Sequence, residues 1–256
     1  MATPSRKQTD PWAFMREFTQ ARIALGHAGG SLPTQALLEF RLAHAKARDA
    51  VYHELDLEHL QQALQPLSLP QIRVNSMAQN RITYLQRPDL GRRLHPDSRQ
   101  TLSNASNNTT KPDVVFMIGD GLSAIAIEQH ASALLAASIP ALIQQGWRLG
   151  PLVLAQQARV ALGDEVGAAL GAQLVVVIIG ERPGLSSPDS VGVYLTYAPR
   201  RGRMDAERNC ISNIRPHGLP MADAAHKLIY LIDQALQRRL SGIDLKDESG
   251  VLGMLE

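Results

Sequence analysis

Short apolar runs alternate with helical stretches through the last two thirds of this 256-residue chain, which predicts an α/β fold. The runs at residues 114–118 (VVFMI) and 174–179 (LVVVII) are apolar throughout, as strands buried on both faces of a parallel sheet must be. The first 66 residues contain no such run and read as helix up to Pro66 and Pro70. A small helical domain at 1–66 is therefore expected to precede an α/β domain at 67–256.

The elements follow in order. Asp10 before Pro11 forms a helix start, and Phe14, Phe18, Ala21 and Leu25 repeat along one helical face up to Gly26. Two further helices are expected at 34–51 and 58–65. Residues 81–85 (RITYL) read as a short strand, 87–94 (RPDLGRRL) as a polar loop with a turn, and 103–111 (SNASNNTTK) as a mobile polar segment. After the strand at 114–118 come the turn Gly119-Asp120-Gly121 and a helix at 122–137. Strands at 152–155 and 174–179 flank a helix that includes 164–170, and 191–197 is a further strand. A last helix at 221–240 carries Ala225, Leu228, Ile232 and Leu236 on one face, with Arg238 and Arg239 in its final turn. This alternation predicts a Rossmann-like, mostly parallel sheet with helices on both faces.

Composition excludes several classes of function. Lys and Arg number 26 against 24 Asp and Glu, and the basic runs are short, so no nucleic-acid partner is expected. The longest fully apolar strand run is too short to span a bilayer, and no apolar stretch of signal-peptide length follows the first basic residues, so no membrane partner is expected either. The single cysteine, Cys210, excludes an intrachain disulfide and fits a reducing compartment, which makes the cytoplasm the expected location. Eight scattered histidines without H-E-x-x-H or a cysteine pair give no protein-ligated metal.

Ligands of open α/β sheets gather where loops leave the carboxyl ends of strands. Three segments are candidates: 119–123 (GDGLS), 180–190 (GERPGLSSPDS) and the expected loop at 207–216 (ERNCISNIRP). The first has too few glycines for a phosphate loop and no Lys-Ser. It is similar to the serine turn of GDSL esterases, and Asp223 and His226 supply a late D-x-x-H. A stand-alone serine hydrolase is therefore the alternative reading. However, Gly121 stands where that nucleophile belongs, and Ser123 lies two residues on. In the second segment, Glu181 places a charge just past a buried strand, which needs a partner or water. In the third, Cys210 alone reads as a small buried hydrophobe.

Taken together, DGLS at 120–123, GERPGL at 180–185, ERNCISNI at 207–214 and RPDLGRRL at 87–94 resemble segments of the ethanolamine ammonia-lyase small subunit. The resemblance runs from the N-terminal helices to Gly242 and Ile243. It implies a subunit that helps hold adenosylcobalamin against a large, TIM-barrel subunit in an equimolar higher oligomer. The complex would convert ethanolamine to acetaldehyde and ammonia, with the radical chemistry carried by the cofactor. No residue of this chain is then catalytic. The family's cofactor contacts map onto Val160, Glu181 and Cys210. Glu181 would accept hydrogen bonds from corrin amides, Val160 would offer apolar surface or a backbone group, and Cys210 would act through its peptide. No D-x-H-x-x-G motif is present, consistent with cobalamin that keeps its own base on cobalt. The resemblance implies a bacterial microcompartment as a second location, although only about nine residues precede the first expected helix, where encapsulated members carry a longer extension.

Overall fold

The computed structural model describes residues 10–107 and 110–252; the expectation about a leader segment rests largely on residues outside these. Six strands form one sheet: β1 (Gln71–Asn75), β2 (Val114–Gly119), β3 (Leu149–Gln156), β4 (Leu174–Gly180), β5 (Val191–Tyr197) and β6 (Asn209–Ile214). Their order is β1-β3-β2-β4-β5-β6. The first four in this order pair in parallel, whereas β4–β5 and β5–β6 are antiparallel, so the sheet is mixed. The change of direction follows from the chain. Parallel neighbours need a crossover of a dozen or more residues, usually a helix. The ten residues between β4 and β5 contain Pro183, Gly184 and Pro188 and form none, so β5 returns beside β4 as a hairpin.

Helices cover both faces. On one lie α2 (Leu57–Leu64), α5 (Ala124–Gln144) and α7 (Met221–Arg238), enclosing a core that includes Phe116, Ile118, Val176, Leu134 and Leu228. On the other, α4 (Pro96–Asn107) and α6 (Leu162–Leu170) cover Met117, Val153, Val175 and Val177. Helix α5 is long and apolar enough to cross a membrane, yet its Leu134, Leu135 and Ile139 are packed in the sheet core. At α6, Gly163 and Gly167 let the helix approach the sheet: a Cβ on Gly163 would lie 2.3 Å from a Val177 methyl.

The N-terminal region departs from expectation. Only a 3₁₀ turn forms at Ala13–Glu17, with Phe14 and Phe18 exposed, followed by irregular backbone in which Ala24 and Gly26 take positive φ. Helices of this length depend on docking an apolar face, and here that face meets no core. Helix α1 (Thr34–Tyr52) forms as expected, with Ala50 its buried residue. Leu57, Leu60 and Leu64 of α2 share the core of α5.

Residues 81–85, expected as a strand, are instead helix α3 (Arg81–Gln86). The Asn80 side chain caps it by accepting from Thr83 N–H at 2.9 Å, a cap that outweighs the strand propensity of Ile-Thr-Tyr. The segment expected to be mobile at 103–111 lies partly in α4, through Asn107; residues 108 and 109 lie outside the described set. Residues 209–214, expected in a loop, form the edge strand β6, with Tyr194 opposite Cys210 and Val193 opposite Ile211.

Candidate cofactor-contact site

In a doubly wound sheet the crevice opens between neighbouring strands whose connections leave to opposite faces. Here those strands are β2, which leads to α5, and β3, which leads to α6. The crevice is filled by the protein itself. Asp120 is buried; its Oδ1 accepts from Gly121 N (2.9 Å) and Ala158 N (2.9 Å), and its Oδ2 from Gln157 N (2.8 Å). Arg81, also buried, lies 3.4 Å from Oδ2 and donates to the carbonyls of Gly121 and Val51. Burial raises the Asp120 carboxyl to about 6, against the lowering effect of its N–H donors and Arg81. The DGLS signature thus anchors the segment 157–161 after β3, which carries Val160.

RPDLGRRL anchors the same segment from outside. Arg159 N donates to Gly91 O at 2.8 Å, and the Tyr84 hydroxyl donates to Ala158 O at 2.9 Å. The guanidinium groups of Arg81 and Arg159 both lie over the Tyr84 ring, 5.0 and 4.5 Å from its centroid. Gly91 must stay small, since a Cβ there would be 2.8 Å from the Tyr84 ring and 3.0 Å from Arg159 Cγ.

GERPGL docks on the DGLS turn through two glycines. A Cβ on Gly121 (φ +58°) would lie 2.2 Å from Gly180 O, and one on Gly180 would lie 2.0 Å from Ser123 O. Leu122 N donates to Gly180 O at 3.0 Å. This contact fixes where Glu181 leaves the sheet. Its backbone N–H donates to Ser190 O (2.9 Å), and its carboxylate Oε2 accepts from Asn213 N (3.1 Å). Glu181 and the Tyr194 ring both cover Gly192, where a Cβ would lie 3.0 Å from Glu181 Oε1 and 3.2 Å from Tyr194 Cε2.

The three residues singled out from sequence converge around Tyr194. Cys210 is exposed and directly across the β5–β6 ladder from Tyr194. Desolvation around its sulfur raises the thiol, against a hydrogen bond from Tyr194 that lowers it, and Glu181 adds a smaller upward push. Tyr194 is itself raised, by burial first and then by Cys210 and Glu181. Val160 and Tyr194 line one cleft of about 380 Å³ together with Arg92, Arg159, Arg203, Met204, Asp205 and Arg208. Tyr194 was not expected from sequence as a site residue, and Arg92 and Arg203 read there only as members of short basic runs on a solvated face. The alternation of β5 carries the signal, because Gly192, Tyr194 and Thr196 share the face opposite the buried Val191, Val193 and Leu195.

The hydrolase arrangement is not assembled. Ser123 is buried, caps α5 by accepting from Ala126 N (3.3 Å) and donates its hydroxyl proton to Pro188 O (2.8 Å). His226 and Asp223 are exposed on α7. A nucleophile needs its hydroxyl aimed at a base, and this one is aimed at a carbonyl.

The family model of the ethanolamine ammonia-lyase light chain matches residues 9–246. The chain belongs to this family. Its relatives include the ethanolamine ammonia-lyase small subunits of Xanthomonas campestris (52% identical, covering 97% of this chain and 92% of the relative) and Azotobacter vinelandii (51%, covering 98% and 93%). That of Pseudomonas fluorescens Pf-5 is 50% identical over 94% of this chain and 89% of its own. Membership in the ethanolamine ammonia-lyase light chain family makes the chain a subunit of a lyase complex, working with a partner subunit in ethanolamine breakdown.

Proposed function

We propose that this chain grips adenosylcobalamin against the TIM-barrel large subunit of ethanolamine ammonia-lyase, in an equimolar higher oligomer located in the cytoplasm or a microcompartment. The observation that carries the reading is the convergence of Val160, Glu181 and Cys210 around Tyr194 on one open face. When bound, the cofactor supplies the radical chemistry that turns ethanolamine into acetaldehyde and ammonia.

The residues suit a corrinoid. Its rim of uncharged amides needs acceptors, and Glu181 Oε1 has no hydrogen-bond partner among the described residues while Oε2 is held by Asn213. Its broad apolar surface needs a flat neighbour, which Val160 and Tyr194 provide. Cys210 lies on β6, the edge strand of the sheet. Anchoring by Asp120 and by the Gly121–Gly180 contact holds Val160 and Glu181 before the cofactor arrives, which lowers the ordering cost of binding.

The test is co-expression with a large subunit, followed by ammonia-release assays with and without adenosylcobalamin. Activity should require both subunits and the cofactor; deamination by the isolated chain with cofactor would sink the assignment. The isolated chain should also show no esterase activity.

Side-chain and backbone roles separate in cobalamin titrations of the reconstituted complex. Glu181→Gln keeps an acceptor but removes the charge. A charge-assisted hydrogen bond is worth roughly 1.5–3 kcal/mol, so affinity should fall about tenfold or more. Cys210→Ala leaves the peptide in place and should change affinity by less than about threefold. A large loss in Cys210→Ala, with assembly intact, would assign the contact to its thiol.

A further inference from the structure

The cleft beside Val160 carries positive charge that the fold itself does not use. Arg203 is committed to Glu207 and to the carbonyls of Tyr197 and Ala198. Arg208 is committed to Asp164, Thr196 and Arg203 O. Arg92 and Arg159 remain. Arg92 is exposed and has no partner among the described residues. Arg159 lies over the Tyr84 ring, and its buried Nε has no hydrogen-bond acceptor, whereas the buried Nε of Arg208 lies 3.7 Å from Asp205 Oδ1. Once the paired groups are set aside, the guanidinium groups of Arg92 and Arg159 are left without a carboxylate, because the one carboxylate of the cleft lining, the fully exposed Asp205, lies 3.7 Å from Arg208 Nε. Guanidinium groups without a carboxylate partner in the lining of a cleft favour an anionic ligand.

We propose that this cleft seats a phosphodiester, namely that of the cofactor's nucleotide loop, with Arg159 and Arg92 as its ligands. The inference rests on the cofactor reading above and names the part of the cofactor that this chain holds. Cobalamin carries its negative phosphate on the nucleotide loop, while its peripheral amides are neutral. Guanidinium groups match phosphate oxygens in a planar, two-pronged geometry. Arg159 is also preset: its backbone is tied to Gly91, its guanidinium lies over the Tyr84 ring, and its neighbour is Val160. A phosphodiester between Arg159 and Arg92 would therefore lie beside the surface that Val160 offers to the corrin.

The experiment compares cobalamin with cobinamide, the same corrin without the nucleotide loop, in absorbance titrations of the reconstituted complex. Arg159→Gln should weaken cobalamin tenfold or more and leave cobinamide within about twofold. Arg92→Gln, an exposed change that does not disturb the Arg159–Tyr84 contact, should act in the same direction. Inorganic phosphate should compete with cobalamin in the wild-type complex and less so in Arg159→Gln. Equal losses for both corrinoids, or no loss of cobalamin in either variant, would overturn the inference and leave the cofactor reading standing. A wild-type complex that binds neither corrinoid would overturn the cofactor reading, and this inference with it.

Discussion

Asp164→Ala is expected to destabilise the chain by about 3–5 kcal/mol, because it strands the Arg208 guanidinium inside the protein. The pair is two-pronged, at 2.6 and 2.7 Å, and both side chains are 2% exposed. Burial pushes the Asp164 carboxyl up, and its bonds to Arg208 oppose that push. The alanine variant would leave Arg208 with Thr196, one carbonyl and the solvent-screened Asp205 carboxylate 3.7 Å from its Nε. At roughly 2–4 °C per kcal/mol for a chain near this size, the melting temperature should fall by roughly 6–20 °C. The double variant Asp164→Leu/Arg208→Met removes both charges and should recover most of the loss. The pair joins α6 to the start of β6, so it also sets the spacing between the Val160 segment and the Tyr194–Cys210 strands. Cofactor affinity should fall together with stability in the single variant. A loss below about 1 kcal/mol would mean that water reaches Arg208 and that the pair is not a structural tie.

The same pair illustrates what the sequence could and could not disclose. Buried strands were readable at 114–118, 152–155 and 174–179 because each is apolar on both faces, and a helix cannot be confused with so short a run between turns. Strand direction was not readable at β5 and β6. It depends on whether the preceding connection contains a helix, and residues 181–190 had been weighed as a ligand loop rather than as a hairpin connection. The edge strand β6 carries Asn209, Ser212 and Asn213, all poor strand formers, and its state is decided by pairing with β5. Helix α3 is hidden for the opposite reason: the strand propensity of Ile-Thr-Tyr is local and plain, whereas the Asn80 cap on Thr83 N–H decides the outcome.

The site was legible through its signatures and opaque in its electrostatics. GERPGL and NCISNI were visible as segments, but their shared neighbour Tyr194 lies in the middle of β5, where only strand alternation marks the face it shares with Gly192 and Thr196. The role of RPDLGRRL was invisible, since Gly91 meets Tyr84 and Arg159 only after three separate segments have packed together. The arginines of the cleft lie at 92, 159, 203 and 208, too far apart for any charge run to betray them. DGLS was recognised as a turn, yet what its aspartate does depends on peptide N–H groups nearly forty residues away.

That aspartate supports the other large effect. Asp120→Asn should cost about 1–3 kcal/mol at pH 7.5, since an amide N–H₂ replaces one of two oxygens that accept buried hydrogen bonds, whereas a protonated carboxyl keeps both as acceptors. The amide cannot substitute well, because donors face both oxygens: Gly121 and Ala158 N–H at Oδ1, and Gln157 N–H and Arg81 at Oδ2. Either amide orientation sets an N–H₂ against an N–H. The segment 157–161 should loosen, and amide exchange at Gln157 and Ala158 should quicken with it. The pH dependence gives a sharper test. Burial raises the folded carboxyl from the ordinary 3.8 to about 6, so between these values the folded state binds the proton that the unfolded state has released. A group raised in this way contributes stability that is fully present below the unfolded value and is lost as pH climbs through the folded one. The stability gap between wild type and Asp120→Asn should therefore widen on acidification, by roughly 1.4 kcal/mol between pH 7.5 and pH 5. Denaturant unfolding of both proteins at the two pH values measures it. A gap that narrows instead would mean that the N–H donors and Arg81 outweigh burial. Asp120 would then hold its charge through the acid range, and the turn would lock the Val160 segment most firmly near neutral pH.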